Sequence, residues 1–228
     1  RRRAILFVVG VFGLLITAWV TRSLHDIERE RLQLRFQSAA QARAGEVVDQ
    51  MRQPLEHLAT LQRLFGSVDR VDWPAFRTFA EPMLSLPGVR SFNWLPRVSG
   101  AERAAFESAL RDRGGAKATI TEYGPGNRLV VAGERAFYFP VLYAVPEEST
   151  QGSMGFDVYS VADRAALIDH AIADDRPNAG APSPLPYAPE VKDAVRLVAP
   201  VYPRDHRSTN RAGRVADARG VVILVFSV

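Results

Sequence analysis

Apolar and polar positions divide the chain into an apolar N-terminal run, a long helical stretch and a mixed C-terminal part. The run Ala4–Val20 carries no charge over 17 residues, which is at the short end of the roughly 17–25 that cross a bilayer as a helix. Three arginines precede it and Arg22 follows it, so the positive-inside rule places the N-terminus in the cytoplasm. We therefore predict a membrane anchor at residues 1–22, with the rest of the chain outside the cytoplasm.

A cleaved signal peptide would share this charged and apolar pattern. It needs small residues at its cleavage site, and Thr17-Ala18-Trp19 and Val20-Thr21-Arg22 fit that requirement poorly. Trp19 instead suits the far membrane interface, where an amphipathic ring is favoured. The pattern favours an anchor that stays attached.

Residues 23–66 are rich in good helix formers and predict one long helix. Its apolar positions recur at spacings of three, four and three, as in a coiled coil, at Val48, Met51, Leu55 and Leu58. Pro54 removes a backbone donor and should kink the helix near Met51. For Leu58–Phe65 the pattern favours packing on the chain's own domain. For Ser23–Met51 it favours a stalk that pairs with a second copy of the chain, which predicts a homodimer.

The part after residue 66 alternates between amphipathic helices and short strands. The predicted helices are Trp73–Leu86, Glu102–Arg111 and Ala162–Ala173. The predicted strands are Val89–Leu95, Ala118–Glu122, Leu129–Ala132, Phe137–Val145, Ser153–Ser160, Val195–Tyr202 and Gly220–Val228. Asp72 should cap the first helix, whose apolar face comprises Phe76, Phe79, Met83 and Leu84. Asp174–Pro189 is predicted to be a loop and Arg204–Arg219 a polar linker. This order predicts an α+β fold with a mostly antiparallel sheet.

Composition narrows the chemistry that the chain can perform. It contains no cysteine, which excludes disulfides, thiolate metal sites and a cysteine nucleophile. The net charge is +4, but the basic residues are scattered, so no nucleic-acid-binding stripe is predicted. The four histidines lack metal-ligand spacing, and Gly124-Pro125-Gly126 lacks the strand-to-helix context of a phosphate loop. We predict no catalytic residue, no metal and no cofactor.

Seven short motifs follow one another along the chain after residue 55. They are Leu61-Gln-Arg-Leu-Phe65, Leu86-Pro87-Gly88-Val89, Asn93-Trp94-Leu95-Pro96-Arg97-Val98, Tyr138-Phe139-Pro140-Val141-Leu142-Tyr143, Gly155-Phe156-Asp157-Val158, Arg164-Ala-Ala-Leu167 and Ala199-Pro200-Val201-Tyr202. Each is weak alone. Together, behind an anchor and a stalk, they resemble the CHASE domain, the extracellular sensor of receptor histidine kinases and nucleotide cyclases.

The resemblance implies a membrane-distal, PAS-like sensor lobe at residues 67–203 and a smaller membrane-proximal lobe. Residues 204–228 would then be a linker followed by the first strand of the proximal lobe, Gly220–Val228. The resemblance also implies a receptor in the bacterial inner membrane with a periplasmic sensor. The full-length protein would carry a histidine kinase or a nucleotide cyclase as its output domain.

Asp157 is the candidate ligand-binding residue with the clearest chemical rationale. It follows Gly155-Phe156 on a predicted strand, where a carboxylate accepts hydrogen bonds from ligand N–H groups and apolar surroundings strengthen them. By the resemblance, the matching aspartate of plant cytokinin receptors holds the adenine ring. The alternative is a structural aspartate that caps the helix beginning near Asp163.

Four further residues complete the candidate site. Phe139, Tyr143 and Trp94 are candidate pocket walls, and each could equally belong to the core. Ala181 matches a position whose backbone contacts the ligand in the plant receptors. Glu190 stands where that pattern has a hydroxyl residue, so whether the ligand is of the adenine type stays open.

Two functions remain open from the sequence. In the first, a small molecule binds the distal lobe and shifts the stalk helices of a dimer relative to the membrane. In the second, the module is structural, and a partner protein or the membrane supplies the signal. An enzyme would need a catalytic constellation that the sequence lacks.

Overall fold

The computed structural model describes residues 54–68, 71–114, 118–147, 151–184, 191–203, 208 and 210–227. These residues all fall within one compact unit, Gln50–Val228. The predicted anchor, the predicted stalk up to residue 53 and the kink expected near Met51 lie outside the described residues. Among the residues described, no helix combines the length and the apolar character that a membrane crossing requires.

A five-stranded antiparallel sheet forms the centre of the described part. The strands are β1 (Val89–Pro96), β2 (Val98–Ser99), β3 (Thr121–Tyr123), β4 (Leu129–Val131), β5 (Phe137–Tyr138), β6 (Tyr143–Val145), β7 (Asn178–Ala179), β8 (Ala194–Val201) and β9 (Gly220–Ser227). The main sheet has the order β6-β1-β9-β8-β7, and all its pairs are antiparallel. Two smaller antiparallel pairs, β2–β5 and β3–β4, lie beside it. The predicted α+β class with an antiparallel sheet is confirmed.

The central strand of this sheet is β9. It pairs with β1 from Val89↔Phe226 to Pro96↔Gly220, and with β8 on its other side. The expectation that Gly220–Val228 starts a separate proximal lobe is therefore wrong for β9. The physical reason is burial: every residue from Gly220 to Phe226 is buried, and an apolar run of this kind needs cover on both faces, which the centre of a sheet provides.

Several α-helices of the described part of the chain surround the sheet. They are α1, described over residues 54–67, α2 (Trp73–Ala80), α3 (Arg103–Gly114), α4 (Ala162–Asp174) and α5 (Arg211–Asp217). Asp72 caps α2 as predicted, because its Oδ1 accepts a hydrogen bond from the Ala75 N–H at 2.8 Å. The polar segment predicted as a linker contains α5, whose N-cap Asn210 accepts from the Gly213 N–H at 2.8 Å. A local side-chain cap thus starts a helix there without apolar periodicity.

Helices cover both faces of the main sheet. On the face covered by α1 and α2, called the α1 face, one apolar cluster joins Leu58, Leu61, Phe65, Phe76, Phe92, Trp94, Tyr143 and Leu224. On the opposite face, called the α4 face, a second cluster joins Ile168, Ala171, Ile172, Phe139, Phe156, Val198, Val221 and Ile223. Successive side chains of β9 point to opposite faces of the sheet and so belong alternately to the two clusters. The sheet is therefore the middle layer between two apolar cores.

Other predicted segments also differ from the structure. Phe79 is 43% exposed, so it does not belong to the buried face of the first helix, which changes to a 3₁₀ helix at Glu81–Ser85. The predicted strand Phe137–Val145 is divided into β5 and β6, and the predicted loop after residue 174 contains β7.

The predicted strand Ser153–Ser160 forms 3₁₀ turns at Gln151–Ser153 and Val158–Ser160, with single bridges between them. Gly155 explains the break in extended structure. Its φ is +79°, and a Cβ there would lie 2.4 Å from the Thr119 carbonyl oxygen. This close approach and left-handed backbone suit glycine and interrupt a strand.

Candidate functional site

Asp157 lies fully buried where the segment after Gly155 passes β5. Its Oδ1 accepts hydrogen bonds from the Phe139 N–H at 2.9 Å and from the Tyr159 N–H at 3.2 Å. The second of these bonds makes Asp157 the N-cap of the turn Val158–Ser160. The following helix, α4, has Val161 at its N-cap position and no side-chain cap. Asp157 therefore caps the turn before that helix and not, as the alternative expected, the helix itself.

Arg135 forms the ion pair that neutralises Asp157. Its Nη1 lies 2.8 Å from Asp157 Oδ2, and its Nη2 contacts the carboxylate of Glu122. The Asp157 side chain is completely buried, whereas the Arg135 side chain is 34% exposed. Two carboxylates thus share one guanidinium, and the arginine connects the buried carboxylate to the surface.

Backbone contacts hold Arg135 in position. The Arg135 N–H donates to Tyr138 Oη at 2.8 Å, and the Tyr138 hydroxyl donates to the Gly133 carbonyl at 2.8 Å. Tyr138 is itself buried in a small cluster with Ile120. This anchoring fixes the backbone from which the guanidinium reaches Asp157, so the ion pair is preorganised.

Burial dominates the electrostatics of this site. It raises the pKa of Asp157, while the Phe139 N–H and the positive charge of Arg135 act in the opposite direction. Burial, together with the carboxylates of Asp169 and Asp157, raises the pKa of Tyr159 to about 12. The Tyr159 hydroxyl donates to Asp169 Oδ1 at 2.9 Å. The tyrosine therefore stays neutral and acts as a hydrogen-bond donor.

The sheet separates the five predicted site residues. Phe139 is buried beside Asp157 on the α4 face. Trp94 and Tyr143 are buried on the α1 face, in the other apolar cluster. Ala181 is exposed in the loop after β7. The structure thus brings together Asp157 and Phe139 and holds Trp94 and Tyr143 on the opposite side, and ligand contact by any of the five stays a prediction.

Sequence reasoning missed Arg135 and Glu122. Neither residue belongs to a motif, and they lie 22 and 35 positions before Asp157, so no local spacing connects them with it. Their polar surroundings, with glycines at 124, 126 and 133, are typical of a surface turn. Only the tertiary fold, through the bridge between Thr121 and Phe156, brings Glu122 close to the Asp157 segment.

The described residues of the site supply hydrogen-bonding groups. No group of three or more histidine or acidic side chains in the described part of the chain is placed to hold a metal ion. A buried carboxylate that is charge-paired and capped by amides is suited to hydrogen bonding.

The described part of the chain is thus an antiparallel sheet between helices, with a buried, charge-paired carboxylate beside it. The model of the CHASE domain family matches residues 69–228, which is more than two thirds of the chain, and the chain belongs to this family. CHASE domains are extracellular sensor domains of signalling receptors, so a sensory role follows from membership. A comparison with the curated proteins found no match.

Proposed function

We propose that this domain is the ligand-binding part of a membrane receptor and that a small molecule binds on the α4 face around Asp157. The observation that carries the proposal is a completely buried carboxylate whose ion-pair partner, Arg135, is 34% exposed. A solute at the surface can contact the guanidinium and, by displacing it, the carboxylate. Buried titratable groups with a specific charge partner are candidates for functional sites.

The proposed ligand carries N–H donors and an apolar or aromatic body. Its N–H groups would replace those of Arg135 on Asp157 Oδ2, and an adenine-type base has this chemistry. Phe139 and Tyr159, whose rings lie 5.5 Å apart, would pack against the body. Ala181 would contribute its exposed backbone. Trp94 and Tyr143 would support the site through the sheet, since they pack on its other face.

The proposed signal passes through the stalk. Residues 1–22 would anchor the chain in the bacterial inner membrane, residues 23–66 would pair in a homodimer, and the PAS-like sensor would lie in the periplasm. Ligand binding would shift the populations of two sensor conformations. What supports this route is that α1 is attached to the sheet, because Gln62 Nε2 donates to the Pro200 carbonyl at 2.6 Å.

A second candidate function is a structural and dimerisation module without a small-molecule ligand. One observation favours it. Asp157 already accepts three hydrogen bonds from Phe139, Tyr159 and Arg135, and a carboxylate offers about four acceptor positions. The site is therefore satisfied by the protein's own groups, and a partner protein or the membrane would supply the signal.

Melting temperatures of the full chain in detergent, measured against adenines, other purines and aromatic amines, separate the two functions. The receptor function predicts that at least one compound raises the melting temperature and that Asp157→Asn removes the rise. Asp163→Asn, an exposed carboxylate on α4, is the matched control and should retain it. The module function follows instead if no compound acts and Asp157→Asn leaves signalling by the full-length receptor intact.

Cross-linking tests the proposed stalk dimer. A charge introduced by Val48→Glu should prevent pairing along the apolar stripe and abolish cross-linking between two copies in the membrane. Cross-linking that is unchanged in this variant would contradict pairing through the stalk.

A further inference from the structure

A cleft of about 540 Å³ lies between α3 and the β1–β6 edge of the sheet. Its lining includes Val71, Trp94, Phe106, Arg113, Tyr143 and Arg219. The volume falls within the roughly 300–1,000 Å³ typical of small-molecule sites. Trp94 and Tyr143 belong to the α1 face, so the cleft is distinct from the Asp157 site on the opposite face.

Arg113 is the polar group that distinguishes this cleft. Its guanidinium carbon lies 3.8 Å from the centre of the Trp73 ring and 5.0 Å from that of Tyr143. Its Nε is buried and has no hydrogen-bond partner among the described residues. Its ion pair with Glu147 is long, at 3.4 Å, and the glutamate side chain is 48% exposed, so the pair contributes little.

The Arg113 guanidinium therefore packs on aromatic rings, and its Nε–H donor is not used by any described residue. Burial lowers the pKa of Arg113, although the side chain stays charged. An unsatisfied donor in a buried position costs free energy that an incoming acceptor can recover. This geometry favours a carboxylate, which matches the planar fork of the guanidinium with two parallel hydrogen bonds.

The other lining groups define the rest of the ligand. Two arginines and one aspartate, Asp112, are the charged residues of the described lining, which gives a net charge of plus one. The remaining surface is aromatic or aliphatic, with Trp94, Phe106 and Tyr143 as its largest members. The complement of such a cleft is an anion with an apolar body.

We propose that the cleft between α3 and the sheet binds a small organic carboxylate with an aromatic or aliphatic body, through Arg113. Arg219 links this site to the stalk side of the domain. It lines the cleft, and its Nη1 donates to the carbonyls of Phe65 at 3.2 Å and Val68 at 2.5 Å, where α1 ends. A bound anion attracts Arg219 and competes with these carbonyls, so occupancy of the cleft weakens the C-terminal cap of α1.

Binding of phenylacetate to the full chain in detergent at constant ionic strength tests the proposal. Trp73 and Trp94 adjoin the cleft, so tryptophan fluorescence should change saturably with phenylacetate, and the melting temperature should rise. The neutral amide, phenylacetamide, has nearly the same shape and should bind at least tenfold more weakly. Arg113→Gln should lower the affinity for phenylacetate at least tenfold. Arg111→Gln, an exposed arginine on the same helix, should leave the affinity unchanged.

A second variant protects the test against a folding defect in Arg113→Gln. Ala109 is exposed and lines the cleft, so Ala109→Trp should fill the cleft and abolish the melting shift while the domain stays folded. The proposal is overturned if the wild-type chain does not bind phenylacetate, if acid and amide bind equally, or if Arg113→Gln or Ala109→Trp binds like the wild type.

Asp157→Asn separates this site from the one proposed on the α4 face. The variant should bind phenylacetate with unchanged affinity, because Asp157 does not line the cleft. If Asp157→Asn lost phenylacetate binding, the anion would bind on the α4 face, and the proposed cleft site would be wrong. Failure of every compound at the Asp157 site would leave phenylacetate binding in the cleft unaffected.

Discussion

The two faces of the central sheet are packed by different means. On the α1 face, aromatic rings stack on one another, with Phe65 and Trp94 only 4.7 Å apart between centres. On the α4 face, a completely buried carboxylate is held at the margin of an apolar cluster by one partly exposed arginine. The same strands, β1 and β9, contribute to both faces through alternate side chains.

The difference separates packing that depends on buried area from packing that depends on charge. Close aromatic packing does not depend on protonation or on solutes, and its strength comes from buried area. A buried ion pair is stable only while both charges are present and paired. The Asp157–Arg135 pair on the α4 face therefore depends on charge, whereas the stacking of Phe65 on Trp94 on the α1 face depends on buried area.

Phe65→Ala should produce the largest effect, because it removes a buried ring from the α1 face. Replacement of a buried phenylalanine by alanine typically costs about 3–5 kcal/mol, and Phe65 is fully buried and stacked on Trp94. Urea unfolding should show a loss of this size. Phe79→Ala, on the exposed side of α2, is the control and should change stability by less than about 0.5 kcal/mol. Equal losses for the two variants would contradict the assigned packing.

Arg135→Gln should cost less, although it removes the only charged partner described for Asp157. Breaking a buried pair typically costs about 3–5 kcal/mol, but Arg135 is partly exposed, so water can replace it in part. We expect a loss of about 2 kcal/mol in urea unfolding. The exposed pair of Arg176 with Asp174 at 3.6 Å offers a control, and Arg176→Gln should cost less than about 0.5 kcal/mol. A comparable loss in both variants would show that the buried pair of Asp157 and Arg135 stabilises the fold no more than an exposed pair.

Asp72→Ala should cost about 1 kcal/mol, the usual value of a helix N-cap. Asp72 caps α2 from an exposed position, in contrast to the buried cap that Asp157 provides. Thr78→Ala, in the exposed middle of the same helix, should be nearly neutral. If thermal unfolding shows no difference between the two variants, the cap on the α1 face does not contribute to stability.

The smallest expected effect is a pH dependence of the Arg135→Gln cost. Because burial raises the pKa of Asp157, the folded state binds more protons than the unfolded state between the two pKa values. Stability therefore falls as the pH rises through this interval. Removal of Arg135 takes away a charge that lowers this pKa and enlarges the fall. The cost measured by urea unfolding should thus be smaller near pH 4 than at pH 7, and a cost that grows toward acid pH would contradict this sign.

Local patterns of apolar residues correctly predicted the buried strands. Val89–Leu95 and Val195–Tyr202 were predicted as strands because apolar residues alternate or run together there, and the structure has strands at Val89–Pro96 and Ala194–Val201. The strand β9 was recognised for the same reason, but its place in the sheet was not. Its partners lie far away in the chain, and no local feature specifies which strands pair across such separations.

The candidate site shows the same limit. Asp157 was recognisable because it follows Gly155-Phe156 in a motif. Its partner Arg135 was not, because an arginine in a polar, glycine-rich stretch resembles any solvated surface residue. The failed strand at Ser153–Ser160 has a related cause, since apolar alternation cannot report the left-handed φ of Gly155. Sequence patterns encode burial, whereas pairing of charges depends on the completed fold.

The central position of β9 also has a consequence for how the domain folds during synthesis. During synthesis β1 is complete long before the residues that pair with it, from Gly220 to Phe226, have been added. Until then β1 and β8 each expose an edge that β9 will later cover, and such unpaired edges invite association with other chains. Pairing between distant segments also makes folding slow. The main sheet of the domain therefore cannot be completed until β9 has been synthesised.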